Sequence, residues 1–197
     1  MKYRFILLVS LLWAVTACSP SNTPTDVVDL KADYSLNART GIADVDAVLG
    51  ALETGDPEDL HTLVQYTSAP CTNVEGLGGP PKCRAGEIEG TVFKVLPFLG
   101  SEGSFIRQEE IGTWQGVDAA GLYAIYRVSE SGPTEEYYPR GDYAVILKTV
   151  DGSVISLRIA NGGIVRVDSL FFNVTQDSLE SLVKQDASEV ILAPKVY

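Results

Sequence analysis

Two tight-turn dipeptides, Asp151-Gly152 and Asn161-Gly162, constrain this chain more than any other feature. Each separates runs of alternating apolar residues, and a short loop of this composition selects an antiparallel hairpin, because Asp or Asn followed by Gly accepts the left-handed backbone that matches strand twist. Residues 142–150, 153–160 and 164–172 are therefore expected to form a three-stranded antiparallel meander. Both faces of these strands carry large apolar residues, Tyr143, Val145 and Leu147 on one and Ala144, Ile146 and Val150 on the other. One face must pack on helices, and the other needs more sheet, a partner or a ligand.

The rest of the pattern is α+β. Residues 91–98 and 121–129, rich in Val, Ile, Tyr and Phe, read as two further strands. Upstream, Ile42, Val45, Val48, Leu49 and Leu52 recur at spacings of three and four, which predicts a helix stopped by Gly55. Asp56-Pro57-Glu58-Asp59 supplies a cap, a first-turn proline and acids at the positive end of the dipole, so a second helix is expected to run to about Tyr66 with Leu60, Leu63 and Val64 inward. Between the first two strands the chain reads mostly as loop, with a short helix around Arg107 to Ile111. Near the end, Asp177 and Glu180 resemble a capping box ahead of Leu179, Leu182 and Val183, and Val190 to Leu192 reads as an edge strand. With 45% hydrophobic and 21% charged residues, the stretch 41–197 suits one domain.

The N-terminus carries an address. Lys2 and Arg4 precede the apolar residues 5–15, a stretch too short to span a bilayer, which takes roughly 20 residues as a helix. Val15-Thr16-Ala17-Cys18 then resembles the lipobox of bacterial lipoproteins. The resemblance implies a signal peptide over 1–17, a diacylglycerol thioether on Cys18, and attachment to the cell membrane or outer membrane on its extracytoplasmic face. The alternative is an ordinary secretory signal that leaves Cys18 free. Ser19 after the cysteine is, in enterobacterial lipoproteins, associated with outer-membrane sorting. Residues 18–40 are polar enough to serve as lipid attachment and spacer, with a reach of about 25 Å.

Charge narrows the partners. The chain has 26 acids against 15 bases, and cleavage after Ala17 removes two of those bases. Such a surface disfavours nucleic acid, which needs a basic stripe; the bases are scattered singly, with Lys82 and Arg84 as the one close pair. Cys71 and Cys83 enclose TNVEGLGGPPK in a compartment that permits oxidation, which predicts a disulfide contributing about 3 kcal/mol. Free redox thiols and a metal site are the alternatives, although structural zinc wants four ligands and His61 is the sole histidine. Gly76, Gly78, Gly79 and Pro80-Pro81 look like a phosphate loop, yet neither Gly-Lys-Ser/Thr nor a strand-turn-helix unit follows. The loop is a structural flap or a recognition element, and no cofactor is implied.

Two stretches, VDAVLGALETGDPEDLHTLV and DGSVISLRIANGGIVRVD, are similar to the opening helix pair and closing strands of the nuclear-transport-factor-two-like and SnoaL-like proteins, over residues 42–172. The resemblance implies a cystatin-like cone, in which a helix pair packs on a curved antiparallel sheet around a pocket. Its members include isomerases, dehydratases, small-molecule binders and interaction modules, so fold alone selects no function. The Cys71–Cys83 loop and the C-terminal helix depart from the pattern. A lipid-anchored binding module would hold a small apolar or aromatic ligand in the cone, with Trp114, Tyr123 and Tyr126 as wall residues. The alternative is an envelope interaction or structural lipoprotein that binds a protein partner or itself. An isomerase or dehydratase would need a base beside an oxyanion partner, for which Asp118, Tyr123, Tyr126, Tyr143 and His61 qualify by residue type alone. With one histidine and no Gly-x-Ser-x-Gly, no catalytic residue is assigned.

Overall fold

The computed structural model describes residues 34–76, 78–100, 103–131, 135–170 and 174–195; the signal-like segment, Cys18 and the last residues of the expected meander lie outside them. In chain order the elements are α1 (Ala43–Thr54), α2 (Pro57–Thr62), β1 (Thr67–Pro70), β2 (Val92–Leu99), β3 (Ser104–Arg107), a 3-10 turn (Gln108–Thr113), β4 (Ala119–Val128), β5 (Tyr143–Thr149), β6 (Val154–Ala160), β7 (Gly163–Leu170), α3 (Gln176–Asp186) and β8 (Ala187–Leu192). The architecture is α+β, with a mostly antiparallel open sheet ordered β1-β2-β7-β6-β5-β4-β8, and β3 paired with β2.

The meander forms as its turns predict, with one difference. Ala160 faces Gly163 across a two-residue loop in which Asn161 (φ 53°) and Gly162 (φ 82°) are both left-handed. Asp151-Gly152 belongs to a three-residue loop instead: Thr149 donates to Ser153, Gly152 donates back to Thr149, and Val150 faces solvent rather than the core. The Asp151 carboxylate holds this wider loop by accepting from the Ser153 amide and hydroxyl and from the Thr149 hydroxyl.

Along α1 the apolar stripe buries Val45, Val48, Leu49 and Leu52, and Gly55 (φ 71°) ends the helix. Asp56 caps α2 by accepting from the Glu58 amide at 3.0 Å. The helix stops at Thr62, short of Tyr66, because the next residues are claimed by β7: Gln65 donates to Ile164, and Ile164 donates to Leu63, each at 2.8 Å. At this crossing a side chain on Gly163 would sit 1.9 Å from the Leu63 carbonyl oxygen, so only glycine fits. Tyr34, in the stretch expected to be spacer, pairs with Leu122 and donates from its hydroxyl to the Ala193 carbonyl at 2.8 Å.

Each sheet face has its own core. Under α1 and α2 lie Leu96, Leu122, Ile125, Val145, Leu147, Leu157, Ile159 and Ile164. On the other face Tyr123, Tyr126, Ala144 and Ile146 pack with Leu179 and Val183 of α3. The second face of the meander is thus met by a helix. That helix begins with a capping box between Thr175 and Ser178, not with the Asp177 and Glu180 pair. The edge strand expected near Val190 is the longer β8, paired with β4. β1 and β3, in stretches without a strand signal, complete the sheet.

A buried charge chain fastens α3 to the sheet. Asp168 on β7 accepts from Arg166 Nε at 2.6 Å and from Arg158 Nε at 2.8 Å. Arg158 also reaches Asp186, the last residue of α3, which accepts from the Tyr126 hydroxyl at 2.8 Å. Burial pushes that hydroxyl well above its ordinary pKa, against the pull of Arg158. For Arg158 burial opposes the charged form, but the Tyr126 oxygen, Asp168 and Asp186 outweigh it and keep the guanidinium charged.

Candidate functional site

A disulfide joins Cys71 to Cys83, with their Cα atoms 4.9 Å apart. Beside it the two ends of the loop are zipped together: Thr72 donates to Pro81 at 2.9 Å and Cys83 donates to Thr72 at 3.0 Å. The staple is tied to the residues just ahead of β2 through hydrogen bonds from Cys71 to Thr91 and from Gly90 to Cys71. A glycine-rich and proline-rich segment is thereby held at the β1–β2 end of the sheet. Without the bridge, its glycines would favour the unfolded chain entropically.

Arg107, the last residue of β3, builds the floor beneath this loop. Its side chain is almost fully buried, its guanidinium lies 3.8 Å from the Phe93 ring centroid, and it donates from both terminal nitrogens to Glu87, at 2.5 and 2.7 Å. A further bond, 3.1 Å to the Lys82 carbonyl, ties the loop to β3. The forked pairing with Arg107, helped by the Arg84 amide, lowers the Glu87 pKa from 4.5 to about 2. Because this folded value lies below the unfolded one, the pair's contribution is complete at neutral pH, declines as pH falls below about 4.5 and is gone below about 2. Carboxyl-detected NMR is expected to place the Glu87 midpoint near 2, and Arg107→Lys, which cannot fork, to raise it; an unchanged midpoint in the variant would show that Arg107 is not the cause.

Between the loop and β3 opens a cleft of about 500 Å³, in the size range of ligand pockets. Its walls are Gly76, Gly78, Pro80 and Pro81 on one side and Gly103, Ser104 and Phe105 on the other, with Lys82, Arg84, Arg107 and Glu110 supplying charge. Phe105 is backed by the Tyr138 ring, 5.1 Å away, and the buried Tyr138 hydroxyl, which has no hydrogen-bond partner among the described residues, abuts Gly103. Arg84 is paired with Glu110 and lies 3.9 Å from Glu109. In the segments around the staple Val74, Ile88 and Val92 are 67%, 80% and 62% exposed.

The residues expected to line a cone fall elsewhere and in two layers. Trp114 packs in the α1–α2 core, edge-on to Phe98, and its carbonyl accepts from His61 Nε2 at 2.7 Å. A carbonyl can only accept, so this contact places the proton of neutral His61 on Nε2. Tyr123 and Tyr126 lie in the opposite core, under α3. Asp118 is exposed, and Tyr143 is half-buried at the start of β5 beneath the Arg127 guanidinium. The structure therefore does not bring His61, Asp118, Tyr123, Tyr126 and Tyr143 together. Of the features singled out in the sequence, Gly76, Gly78, Pro80, Pro81, Lys82 and Arg84 line the cleft, with the Cys71–Cys83 bridge at the ends of their loop; Phe105, Arg107 and Glu110 join them from the segment read as mostly loop with a short helix around Arg107 to Ile111.

Among the described residues, Cys71, Cys83 and Glu87 place potential metal-ligand atoms within 4.8 Å of one another. The two sulfurs are bonded to each other and Glu87 is held by Arg107, so the oxidised form offers no ligand set. No helix among the described residues is long and apolar enough to cross a membrane. In comparisons with protein-family models, curated proteins and solved structures, nothing matches the chain.

Proposed function

We propose that this protein is an extracytoplasmic binding module, tethered by lipid at Cys18, whose ligand site is the disulfide-stapled cleft. The observation that carries the reading is the cleft itself: a stapled loop, an aromatic ring and three cations in the lining of a ligand-sized volume. Its place in the molecule supports the reading, since Tyr34 leaves the sheet beside β4 and β8, at the opposite end of the strand order from β1 and β2. A tether upstream of Tyr34 would join the domain at the edge of the sheet remote from the cleft. The helix pair over one sheet face supports a relation to the cystatin-like cone, with the ligand site displaced from the cone interior to the sheet end.

A second reading, an interaction lipoprotein, is favoured by the exposure of Val74, Ile88 and Val92 in the segments around the staple, since exposed apolar side chains supply protein contacts. Two measurements test the proposal. Cys18→Ala should abolish labelling by a fatty-acid probe, and persistent labelling would remove the anchor. Native mass spectrometry of the chain extracted from its membrane should show a mass above the denatured one, whereas a bare dimer would favour the interaction reading.

A further inference from the structure

Charge accounting around the cleft narrows the ligand class. Arg107 is neutralised by Glu87, and Arg84 by Glu110 with Glu109 close by. Lys82 has a different environment. Its ammonium donates to the Val74 carbonyl at 3.0 Å and the Gly78 carbonyl at 3.3 Å, and no carboxylate among the described residues pairs with it. Two carbonyl bonds position the ammonium at the wall of the cleft and leave its third donor open to solvent or a ligand as far as the described residues go. Lys82 is itself exposed in the lining of the cleft, so its ammonium, positioned by two carbonyls and paired with no carboxylate among the described residues, is presented to an incoming anion. The neighbouring surfaces are apolar: Pro80 and Pro81 from the loop, and the Phe105 ring, in tilted contact with Tyr138, from β3.

We infer that the cleft takes a small organic carboxylate with a flat apolar body, the carboxylate meeting Lys82 Nζ and the body lying between Phe105 and the Pro80-Pro81 wall. This rests on the cleft being the ligand site. The loop's carbonyls are the positioning groups, and the disulfide keeps them in register by fixing both loop ends. Since the ammonium is partly solvated, its attraction is screened by salt, and affinity should fall as ionic strength rises.

The test compares benzoate with its neutral analogue benzamide by amide chemical-shift titration of the full chain in detergent micelles. Benzoate should shift the amides of Gly78, Lys82, Ser104 and Phe105 saturably, and benzamide should bind at least about tenfold more weakly. Lys82→Gln should weaken benzoate about tenfold, Lys82→Arg should restore most of the loss, and Lys94→Gln, on β2 away from the cleft, should change nothing. The dispersed spectrum of each variant reports directly that it is folded. Equal binding of both probes in the cleft, insensitive to Lys82→Gln, would overturn the carboxylate assignment and leave the cleft reading intact. Absence of any shift from benzoate would overturn the carboxylate assignment. Saturable shifts confined to the neighbourhood of Trp114 or Tyr126 would overturn both.

Discussion

Replacing Asp168 with Asn is expected to cost about 3–5 kcal/mol of folding stability, because it leaves the buried guanidiniums of Arg158 and Arg166 facing each other without the acid that joins them. The two arginines are opposite one another across β6 and β7, so their separation is fixed by strand register and neither can withdraw. An amide in place of the carboxylate removes the charge and turns one acceptor into a donor that meets other donors. The loss is large against the roughly 5–15 kcal/mol that holds a domain folded. It should also be uneven: Arg158 bridges to Asp186, so protection against hydrogen exchange should fall first in α3 and β8. Urea unfolding with exchange detected by mass spectrometry checks both parts. A loss below about 1 kcal/mol would mean that solvent screens the cluster and that it does not fasten the helix.

The second large effect is expected from the staple. Replacing Cys71 and Cys83 together by Ser should remove about 3 kcal/mol, the entropy of a loop of this length in the chain-constraint account. For a chain of this size that corresponds to a fall of roughly 6–12 °C in Tm. Most of the sheet and both cores are remote from the bridge, so the meander should keep its fold while the cleft loosens. Lys82 holds Arg107 through its carbonyl and is itself held by Val74 and Gly78, so freeing the loop ends disconnects cation and floor. The double variant should therefore lose benzoate binding under conditions where its meander amides remain dispersed. An unchanged Tm, measured by circular dichroism, would show that the hydrogen bonds between Thr72, Pro81 and Cys83 suffice without the bridge.

How much of this was legible depends on how local each signal is. Asn161-Gly162 and Asp151-Gly152 sit inside the hairpins they create, so the meander could be read from neighbours in sequence, and α1 declared itself through its stripe and Gly55. β1 and β3 had no such voice: Thr67–Pro70 is a short polar segment ending in proline, and Ser104–Arg107 gains its strand character only by pairing with β2. The parallel pairing of β2 with β7 joins residues far apart in sequence, which no periodicity reports. Tyr123 and Tyr126, three apart, should face opposite ways on a regular strand. The register shift between Leu122 and Ala124 turns both to the α3 side, a bulge invisible in the residue types.

The same division runs through the candidate site. Cys71 and Cys83 were conspicuous in the sequence because they lie twelve residues apart, and Lys82 and Arg84 because they are two apart in a chain of scattered bases. Arg107 was not, since its role depends on Glu87 and Phe93, which the sheet delivers from other segments. Trp114 drew attention as a large aromatic with a polar edge, and it serves instead as packing beside His61. Aromatic residue type alone therefore favoured the core over the cleft, and only pairing between strands separated the two.

The central claim is that the stapled cleft holds a ligand, and native mass spectrometry of the chain from its own membrane, beside the Ser104→Trp variant, tests it most directly. Ser104 is an exposed residue of β3 in the lining of the cleft, so an indole there adds bulk to its wall. The account predicts an added mass on the wild-type chain that disappears on denaturation and is absent from the variant. The same added mass retained in full by Ser104→Trp would contradict it, because the ligand would then occupy some other part of the molecule.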